Sequence, residues 1–532
     1  MIDRLRTIPG PLRALAAVAC GIAAGLAFAP VGWWPLVFVG VAGLTLVVAA
    51  AKRVAGVAAL GLCFGLGLSA TTLNWMRAIF VEAMIAIVIA VALFYIVLAL
   101  ALRLARRSPA WPLIGAGCWT VLEFTISRWP FDGFGWVRLG FAMVDSPLAG
   151  GYPLVGVAGV SFLTALCGQA LAWVADDGWR RLLPAAGVLV GALALCGAGF
   201  LVPVGQEIPA PGGDSARERV TVGWVQGGAP GGGVYGLGPP RTITKNETAG
   251  TKELAAQVAA REQPQPDFVV WPEEGTDLDP GADAETLAMV QESLAAIGAP
   301  ILIGSVLNGP GPDERRTSSQ WWAPGQGATA TYIKRGIVPF GEWVPYRDFL
   351  LPLVPALVYV GAQSVPGTQP GVLDVALPDG RALKLGVLVC FDVAFDEYAY
   401  DTAKHGAQVV VVQSSNAMYQ GTGQIEQQFA MTRVRAAELR RDILVVTTSG
   451  VSGYIAPNGT VAWRAAESKT AVGVQTMPLR LGITPATWLA QPVELALVVL
   501  TLVGLVVAAF RRLGGTIKEG RKPAKSRKGR DA

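Results

Sequence analysis

The chain has 532 residues, of which 52% are hydrophobic and 15% are charged, and its formal net charge is +5. This composition is far too apolar for one soluble domain of ordinary composition. A membrane protein is therefore expected.

Apolar windows of about 20 residues, the length that crosses a hydrocarbon core, predict seven spans before residue 205 and an eighth near the C-terminus. They run roughly over 12–29, 31–51, 54–74, 79–102, 111–127, 150–175, 183–204 and 488–510. The first span could instead be a cleaved signal peptide, because Ala27-Phe28-Ala29 resembles a cleavage site. Pro30 and the alternation of charge between loops favour an uncleaved anchor.

Residues 219–480 have ordinary charge and many turns, and they predict one globular α/β domain. The chain then divides into a membrane bundle at 1–205, this domain at 219–480, a transmembrane helix at 487–510 and a basic tail at 511–532. Strands and helices alternate through the domain, and several strands are apolar on both faces, as in covered sheets. The expected strands include "RVTVGWVQGG", "DFVVWPEEGT" ending at Glu273, "PILIGSVLNG", "LKLGVLVCFDVAF" and "GAQVVVVQSSNAMYQ".

Arginine and lysine are concentrated in loops that fall on one side if the eight spans alternate. These are Arg4, Arg6, Arg13, Lys52, Arg53, Arg103, Arg106, Arg107, Arg180, Arg181 and the tail from Arg511 to Arg530. That side is expected to be the cytoplasm, which leaves the globular domain on the extracytoplasmic face. A juxtamembrane basic cluster more often serves topology and anionic lipid than nucleic acid, so no nucleic-acid partner is expected.

Cys390 is the one cysteine outside the predicted spans. The others are Cys20, Cys63, Cys118, Cys167 and Cys196. In the exported domain Cys390 has no partner for an internal disulfide. It ends an apolar run, so it is either a small core residue or a nucleophile at the carboxyl end of a strand.

A nucleophilic thiol needs a base or a cation beside it. The chain has a single histidine, His405, at the expected end of a helix, which excludes a histidine-rich metal site and gives a Cys-His dyad little support. A buried glutamate can act as base, and a lysine can stabilise the thiolate and an oxyanion. Glu273 and Lys334 offer that pair, although each could also be an exposed loop residue.

Three segments of the domain carry a family resemblance. "VVWPEEGT", "YIKRGIVPFGEWVPYR" and "GVLVCFD" resemble the catalytic blocks of the nitrilase superfamily, which has a Glu-Lys-Cys triad in an αββα fold. With the seven-plus-one membrane pattern and "RWPFDGFGWVRLGF" at 128–141, the chain is similar to the apolipoprotein N-acyltransferase family, which completes bacterial lipoprotein maturation.

The resemblance implies a ping-pong reaction without cofactor or metal. Glu273, or Glu274 as the second choice, takes the proton of Cys390, whose thiolate attacks an acyl ester of a phospholipid while Lys334 holds the oxyanion. The resulting thioester acylates the α-amine of a diacylglyceryl-cysteine at a lipoprotein's N-terminus. It also implies a multi-pass protein of the bacterial cytoplasmic membrane, and a monomer is expected.

Four further residues correspond to positions of the family's active site: Glu342 and Asn416 match the family pattern, whereas Phe391 and Asp392 depart from it. Glu342 implies a carboxylate that orients Lys334, although a loop salt bridge is the alternative, and Asn416 also carries over. The family often has Cys-Tyr-Glu where this chain has Cys390-Phe391-Asp392, so the tyrosine hydroxyl is lost and the acidic arm is shorter.

Lipid substrates require an apolar entrance to the site. Tyr235 matches a family tryptophan, and Tyr235 and Trp343 are candidates for binding substrate. Residues 350–362, "LLPLVPALVYVGA", predict either a membrane-dipping lid or a hydrophobic core loop. Glu123 and Arg128 are expected to pair within the bundle or to contact a lipid headgroup.

Two other functions fit the sequence less well. A membrane-tethered nitrilase-type amidase would use the same triad, with water instead of an amine resolving the thioester. A non-enzymatic membrane protein, such as a transporter, would not need Cys390.

Overall fold

The computed structural model describes residues 1–209 and 218–519, with side chains as far as residue 510. The side chains of the predicted basic tail, 511–532, lie outside the described residues.

The first 200 residues are helical, with short connections. The helices are α1 (Ile2–Thr7), α2 (Gly10–Gly25), α3 (Pro35–Ala50), α4 (Val54–Thr72), α5 (Val81–Ala105), α6 (Trp111–Ile126), α7 (Tyr152–Asp177) and α8 (Leu182–Gly199). Prolines stand at the first turns of α2, α3, α6 and α7, where the missing N–H costs nothing. The seven predicted segments before residue 205 all form helices, with ends within a few residues of those expected.

The remainder of the described chain alternates strands and helices before a final long helix. The elements are β1 (Gln206–Glu207), β2 (Arg219–Gln226), α9 (Thr242–Ala259), β3 (Phe268–Val270), α10 (Ala284–Ile297), β4 (Ile301–Asn308), β5 (Glu314–Ala323), β6 (Gly327–Ile333), α11 (Arg347–Leu350), β7 (Gln363–Ser364), β8 (Val372–Ala376), β9 (Ala382–Val389), α12 (Asp396–Lys404), β10 (Val409–Ser414), α13 (Gly423–Leu439), β11 (Ile443–Thr447), β12 (Gly453–Ile455), β13 (Val461–Arg464), β14 (Ala471–Pro478), β15 (Arg480–Leu481) and α14 (Pro485–Glu519).

Two mixed sheets form the domain. The first sheet has the order β14-β2-β3-β4-β5-β6, with β7 beside β5, and the second has the order β13-β12-β11-β10-β9-β8. Strands β2, β3 and β4 run parallel, as do β9, β10 and β11. The short strands β1 and β15 pair where the chain enters and leaves the domain.

The sheets pack face to face between two helical layers. Phe268 and Trp321 of the first sheet share a core with Leu385 and Val411 of the second. Helices α9 and α10 cover the outer face of the first sheet. Helices α12 and α13 cover the second sheet and continue into the core of the helical bundle. This is a four-layer αββα arrangement whose second helical layer rests on the bundle.

Strand β10 shows why apolar and polar residues do not alternate along the central strands of this domain. Val409 and Val411 face the other sheet, whereas Val410 and Val412 face α12 and α13. Both faces are therefore buried, and a continuous valine run results.

Two strand expectations differ from the structure. β3 ends at Val270, three residues before Glu273, because Pro272 lacks the N–H needed to extend the ladder. β5 is not among the strands predicted above; its segment "ERRTSSQWWA" is polar, yet Ser318 and Ser319 are buried between β4 and β6.

The outer surface of the bundle is apolar. Val97 and Leu500, on α5 and α14, are 66% and 67% exposed. By length and composition, four helical stretches among the described residues could cross a membrane: Val54–Thr72, Val81–Ala105, Pro147–Gly199 and Pro485–Phe510. Gly10–Gly25 and Pro35–Ala50 are apolar but shorter. Such a surface suits a hydrocarbon environment rather than water.

Candidate active site

Glu273 lies in the loop that follows β3. Its Oε2 accepts a hydrogen bond from the Ser415 backbone N–H at 3.0 Å, and its carbonyl accepts one from Thr448 Oγ1 at 3.3 Å. Gly304 on β4 makes room for this loop, because a Cβ there would lie 2.7 Å from the Glu273 Cα. The carboxylate is therefore buried, and the backbone that follows β10 of the second sheet holds it.

Lys334 follows β6 directly and is 1% exposed. Its Nζ donates to Glu273 Oε1 at 2.9 Å and to both carboxylate oxygens of Glu342 at 3.0 Å. Burial would lower the pKa of Lys334, but these two carboxylates outweigh burial and raise it well above its ordinary value. The ammonium is thus a permanent cation held between two carboxylates.

Glu342 is itself oriented by the chain. Its Oε2 also accepts the Val338 backbone N–H at 2.8 Å, and the Glu342 carbonyl accepts the Ser364 N–H at 2.8 Å. This partly buried side chain therefore forms a salt bridge from its loop to the buried Lys334.

Cys390 occupies a tight turn at the carboxyl end of β9. Its φ is +50°, in the left-handed region that non-glycine residues seldom adopt. Strain of this kind persists where the surroundings enforce it, and it is concentrated at functional sites. Cys390 is partly buried, and its thiol is free.

Asp392 braces the Cys390 turn from the domain side. Its Oδ2 accepts the Val389 N–H at 3.0 Å and the Tyr332 hydroxyl at 2.9 Å. Its Oδ1 accepts the Gly336 N–H at 2.7 Å. Burial raises the pKa of Asp392 despite these bonds. The shorter aspartate arm thus reaches the backbone of the turn itself.

Phe391 is buried in an aromatic cluster. Its ring stacks on Phe134 and Trp136, with centroids 6.0 Å away in both cases, and meets Phe395 edge-on at 5.1 Å. Phe391 is therefore an apolar packing residue in this chain.

The Cys390 thiol lies among the charged groups just described. Burial and the negative charges of Glu273 and Glu342 raise its pKa well above the ordinary value, while Lys334 acts in the opposite direction. The thiol is therefore protonated at neutral pH, and a base must remove its proton during the attack. His405 is exposed, and its Nδ1 lies 2.9 Å from the Asp401 carbonyl of its own helix, so it does not join this group.

Glu274 differs from its neighbour Glu273 in exposure. It is half-buried, and its φ is +57°. Burial, followed by repulsion from Glu273, raises the pKa of Glu274 to about 7. Lys334 makes its hydrogen bond to Glu273 and not to Glu274.

Asn416 lies beyond the carboxyl end of β10 and is also left-handed, with φ +55°. Its Nδ2 donates to Gln428 Oε1 at 2.6 Å and to Gln424 Oε1 at 3.0 Å, both on α13. Gln428 Nε2 donates in turn to Ser414 Oγ at 2.9 Å. These amides fix the loop whose Ser415 N–H binds Glu273.

Exposed apolar side chains from the loop after Glu342, together with Tyr235, form a surface that is called the apolar rim below. Tyr346 and Leu353 are 75% and 64% exposed, and Tyr235, at 77%, meets Tyr359 edge-on. Trp343 packs edge-on against Phe131 of the bundle at 6.5 Å. Residues 350–362 are thus an exposed surface loop, and the alternative of a hydrophobic core loop is wrong.

The expected pairing of Glu123 with Arg128 is also wrong. Arg128 Nη2 bonds Glu494 of α14 at 2.6 Å, whereas Glu123 faces Arg138 at 3.8 Å. The sequence could not show this, because α14 is more than 350 residues away along the chain.

Family models match two parts of the chain. Residues 20–170 match the apolipoprotein N-acyltransferase N-terminal domain, and residues 233–482 match the carbon-nitrogen hydrolase family. The two matches correspond to the helical bundle and to the αββα domain.

Similar proteins cover most of the chain. The chain is 33% identical to the apolipoprotein N-acyltransferase of Mycolicibacterium smegmatis, over 93% of this chain and 84% of that protein. It is 27% identical to that of Azotobacter vinelandii, over 91% and 92%. Among solved structures, an amidase from Nesterenkonia sp. AN1 is 17% identical, covering 52% of this chain and 92% of that one, with a TM-score of 0.36.

Proposed function

The chain belongs to the apolipoprotein N-acyltransferase family, and from this membership we infer that it moves an acyl chain from a membrane phospholipid to the N-terminal amine of a lipoprotein. The observation that carries this proposal is the position of Lys334 between Glu273 and Glu342, with the Cys390 thiol among them. A thiol, a carboxylate base and a cation are the groups that acyl transfer through a thioester needs.

In the first half-reaction, Glu273 takes the thiol proton as Cys390 Sγ attacks the ester carbonyl of the phospholipid. The ammonium of Lys334 stabilises the oxyanion, a contribution of about 10²–10³ in rate for one such donor. The ester C–O bond breaks, and the proton held by Glu273 passes to the departing alkoxide. The products are an acyl thioester on Cys390 and a lysophospholipid.

In the second half-reaction, the neutral α-amine of an S-diacylglyceryl-cysteine attacks the thioester carbonyl. Glu273 accepts a proton from the amine, the C–S bond breaks, and the proton returns to Cys390 Sγ. The amide product leaves, and the enzyme regains its resting protonation state. Glu342 keeps Lys334 in place through both halves, and it performs no proton transfer itself.

The apolar rim supports lipid substrates. Tyr235, Trp343 and the loop at 350–362 would lie against the outer leaflet and admit acyl chains. The exposed side chains of this loop are aromatic or aliphatic, among them Val354, Val358 and Tyr359. In this arrangement the domain at 219–480 stands on the extracytoplasmic side of eight spans, and the C-terminus is cytoplasmic, as the distribution of basic loops predicts.

Purified protein incubated with a phospholipid and a diacylated lipopeptide tests the proposal. The expected product is the triacylated lipopeptide, detected by mass spectrometry, and Cys390→Ala should give none. Free fatty acid without acylated peptide would instead identify a membrane-tethered hydrolase, in which water resolves the thioester.

A further inference from the structure

The segment Arg128–Phe141, between α6 and α7, contacts the Cys390 turn directly. We propose that this segment, called the 128–141 loop below, positions the nucleophile from the membrane side, with Arg138 and Trp136 as positioning residues. The inference rests on the proposed role of Cys390 as the nucleophile. It assigns a function to the block "RWPFDGFGWVRLGF", which the triad leaves unexplained.

The first contact is aromatic. Phe391 directly follows Cys390, and its ring stacks on Phe134 and Trp136 of the 128–141 loop, with interplanar angles of 29° and 25°. The two loop rings also stack on each other at 6.2 Å. Phe391 is 2% exposed, so its ring cannot shift without disturbing the loop.

The second contact is ionic. Arg138 Nη1 donates to Asp396 Oδ1 at 2.8 Å, and Asp396 is the first residue of α12, directly after the turn. Arg435 of α13 donates to the same oxygen at 2.9 Å and to the Val393 carbonyl at 2.8 Å. Both guanidinium groups are buried. The turn is therefore held at its end by one arginine of the domain and one of the loop.

The loop itself is fixed to the bundle and to α13. Trp136 Nε1 donates to Gln427 Oε1 at 2.7 Å, and Trp75 Nε1 donates to the same oxygen at 3.1 Å. Gln427 Nε2 donates to the carbonyls of Thr72 and Ala29 at 2.9 and 3.1 Å. One buried amide thus ties the end of α4 and the 128–141 loop to the helix that packs under the Cys390 turn.

These contacts bear on reactivity because the turn is strained. Asp392 holds the left-handed Cys390 from the domain side, and the loop holds the next residues from the other side. If the loop contacts were lost, the turn would relax and Sγ would move away from Lys334. Burial and the carboxylates of Glu273 and Glu342 outweigh this ammonium and hold the pKa of Cys390 well above its ordinary value. Release of the turn would therefore lower that pKa, and it would also separate Sγ from its proposed base and cation.

Alkylation of Cys390 by iodoacetamide measures this positioning without a lipid substrate. The full chain in detergent micelles is treated across a range of pH, and modified Cys390 is quantified by peptide mass spectrometry. Arg138→Lys and Trp136→Leu are compared with Arg433→Gln. Arg433 pairs with Asp145 at 3.0 Å, so it also joins α13 to the bundle, but it makes no contact with the turn.

Both loop variants are expected to speed alkylation near neutral pH by about tenfold and to move the pH profile downward by about one unit. The kcat of acyl transfer should nevertheless fall, with the KM for phospholipid unchanged, because Sγ no longer faces Glu273 and Lys334. Arg433→Gln should move neither profile, even if its thermal midpoint falls.

Wild-type pH profiles in both loop variants would overturn the proposal, and so would an equal shift in Arg433→Gln, since that would indicate general destabilisation. If Arg138→Lys does not fold, Trp136→Leu decides the question. Failure of phospholipid to acylate the wild-type protein would contradict the proposed function, whereas the alkylation profiles would still test the positioning of the turn.

Discussion

At the scale of single residues, the site depends on one buried cation. Lys334 neutralises the buried carboxylate of Glu273 and the partly buried carboxylate of Glu342. Removing one partner of a buried ionic group leaves an uncompensated charge, and this commonly costs about 3–5 kcal/mol. Lys334 thus has a structural role and a proposed catalytic role in the same position.

Lys334→Met is therefore expected to lower the free energy of unfolding by about 3–5 kcal/mol and to slow acyl-enzyme formation by about 10²–10³. Lys384→Met is the matched control, since Lys384 is exposed and pairs with Asp374. Its effect should stay within about 1 kcal/mol. Thermal denaturation in detergent and the rate of Cys390 acylation measure the two effects. A stable and fully active Lys334→Met variant would contradict this account.

The raised pKa of Glu274 predicts that the free energy of unfolding depends on pH. Its pKa is raised from an ordinary value of 4.5 to about 7, so its stabilising contribution is complete below about pH 4.5 and is lost as pH rises through about 7. Glu274→Gln should therefore be more stable than wild type above pH 7, by about 1–3 kcal/mol after allowance for partial exposure. The thermal midpoints should converge below pH 4.5. For the control Glu285→Gln, at an exposed carboxylate, the difference in thermal midpoint from wild type should not change with pH.

The sequence predicted which residues would meet but not how they are held. Glu273, Lys334 and Cys390 could be chosen because each ends a β-type run and each lies in a recognisable block. The hydrogen bonds that the Asp392 carboxylate accepts from Val389, Tyr332 and Gly336 join three separate parts of the chain. The aromatic environment of Phe391 is supplied by residues about 250 positions earlier, a contact that no local pattern contains.

At the scale of elements, an interruption of the helical backbone in α7 joins the αββα domain to the helical bundle. Gly156 interrupts the helix with φ +64° and ψ −173°. The interruption frees the Val157 N–H, which donates to Glu438 Oε1 of α13 at 2.6 Å. Tyr400 of α12 donates to the same oxygen at 2.9 Å. The αββα domain is therefore hydrogen-bonded to α7 at the point where this helix is interrupted.

Gly156→Ala should weaken this anchor. A Cβ would lie 2.3 Å from the Tyr400 hydroxyl and 2.8 Å from the Ala490 Cβ, and an alanine does not favour this backbone conformation. We expect a loss of about 2–5 kcal/mol and a lower thermal midpoint. Gly191→Ala on α8 is the control, because nothing lies within 4 Å of its Cβ. Equal midpoints for the two variants would show that the kink is not required.

Helix positions could be predicted well from the sequence, since apolar length is a strong local signal. Strands were predicted where both faces are apolar, as in β9 and β10. The polar β5 escaped prediction because its burial is imposed by β4 and β6 on either side. The kink at Gly156 likewise has its partners on other elements.

At the scale of the whole molecule, the bundle and the αββα domain share one continuous core. Phe391 and Val412 belong to the same buried cluster as Phe64 and Trp119 of the bundle. An interface of this kind resembles a domain interior more than a transient contact. We therefore expect the domain alone, without residues 1–205, to lose the geometry of the Cys390 turn.

The proposed orientation can be tested by cysteine labelling in a Cys390→Ala background. Asp313→Cys lies in an exposed turn of the domain, and Arg107→Cys lies in an exposed connection between α5 and α6. A membrane-impermeant maleimide should label position 313 in intact spheroplasts and position 107 only after lysis. The reverse pattern would place the domain in the cytoplasm and overturn the assignment based on the basic loops.

The central claim is that Cys390 carries the acyl chain between the two lipids. Its most direct test is the mass of the Cys390 peptide after the purified protein is incubated with phospholipid alone, without an acceptor. We expect this peptide to gain one acyl chain in a hydroxylamine-sensitive thioester. Lys334→Met should slow the gain, and a diacylated lipopeptide should then remove the acyl chain. An unmodified Cys390 peptide in a preparation that still produces triacylated lipopeptide would contradict the central claim.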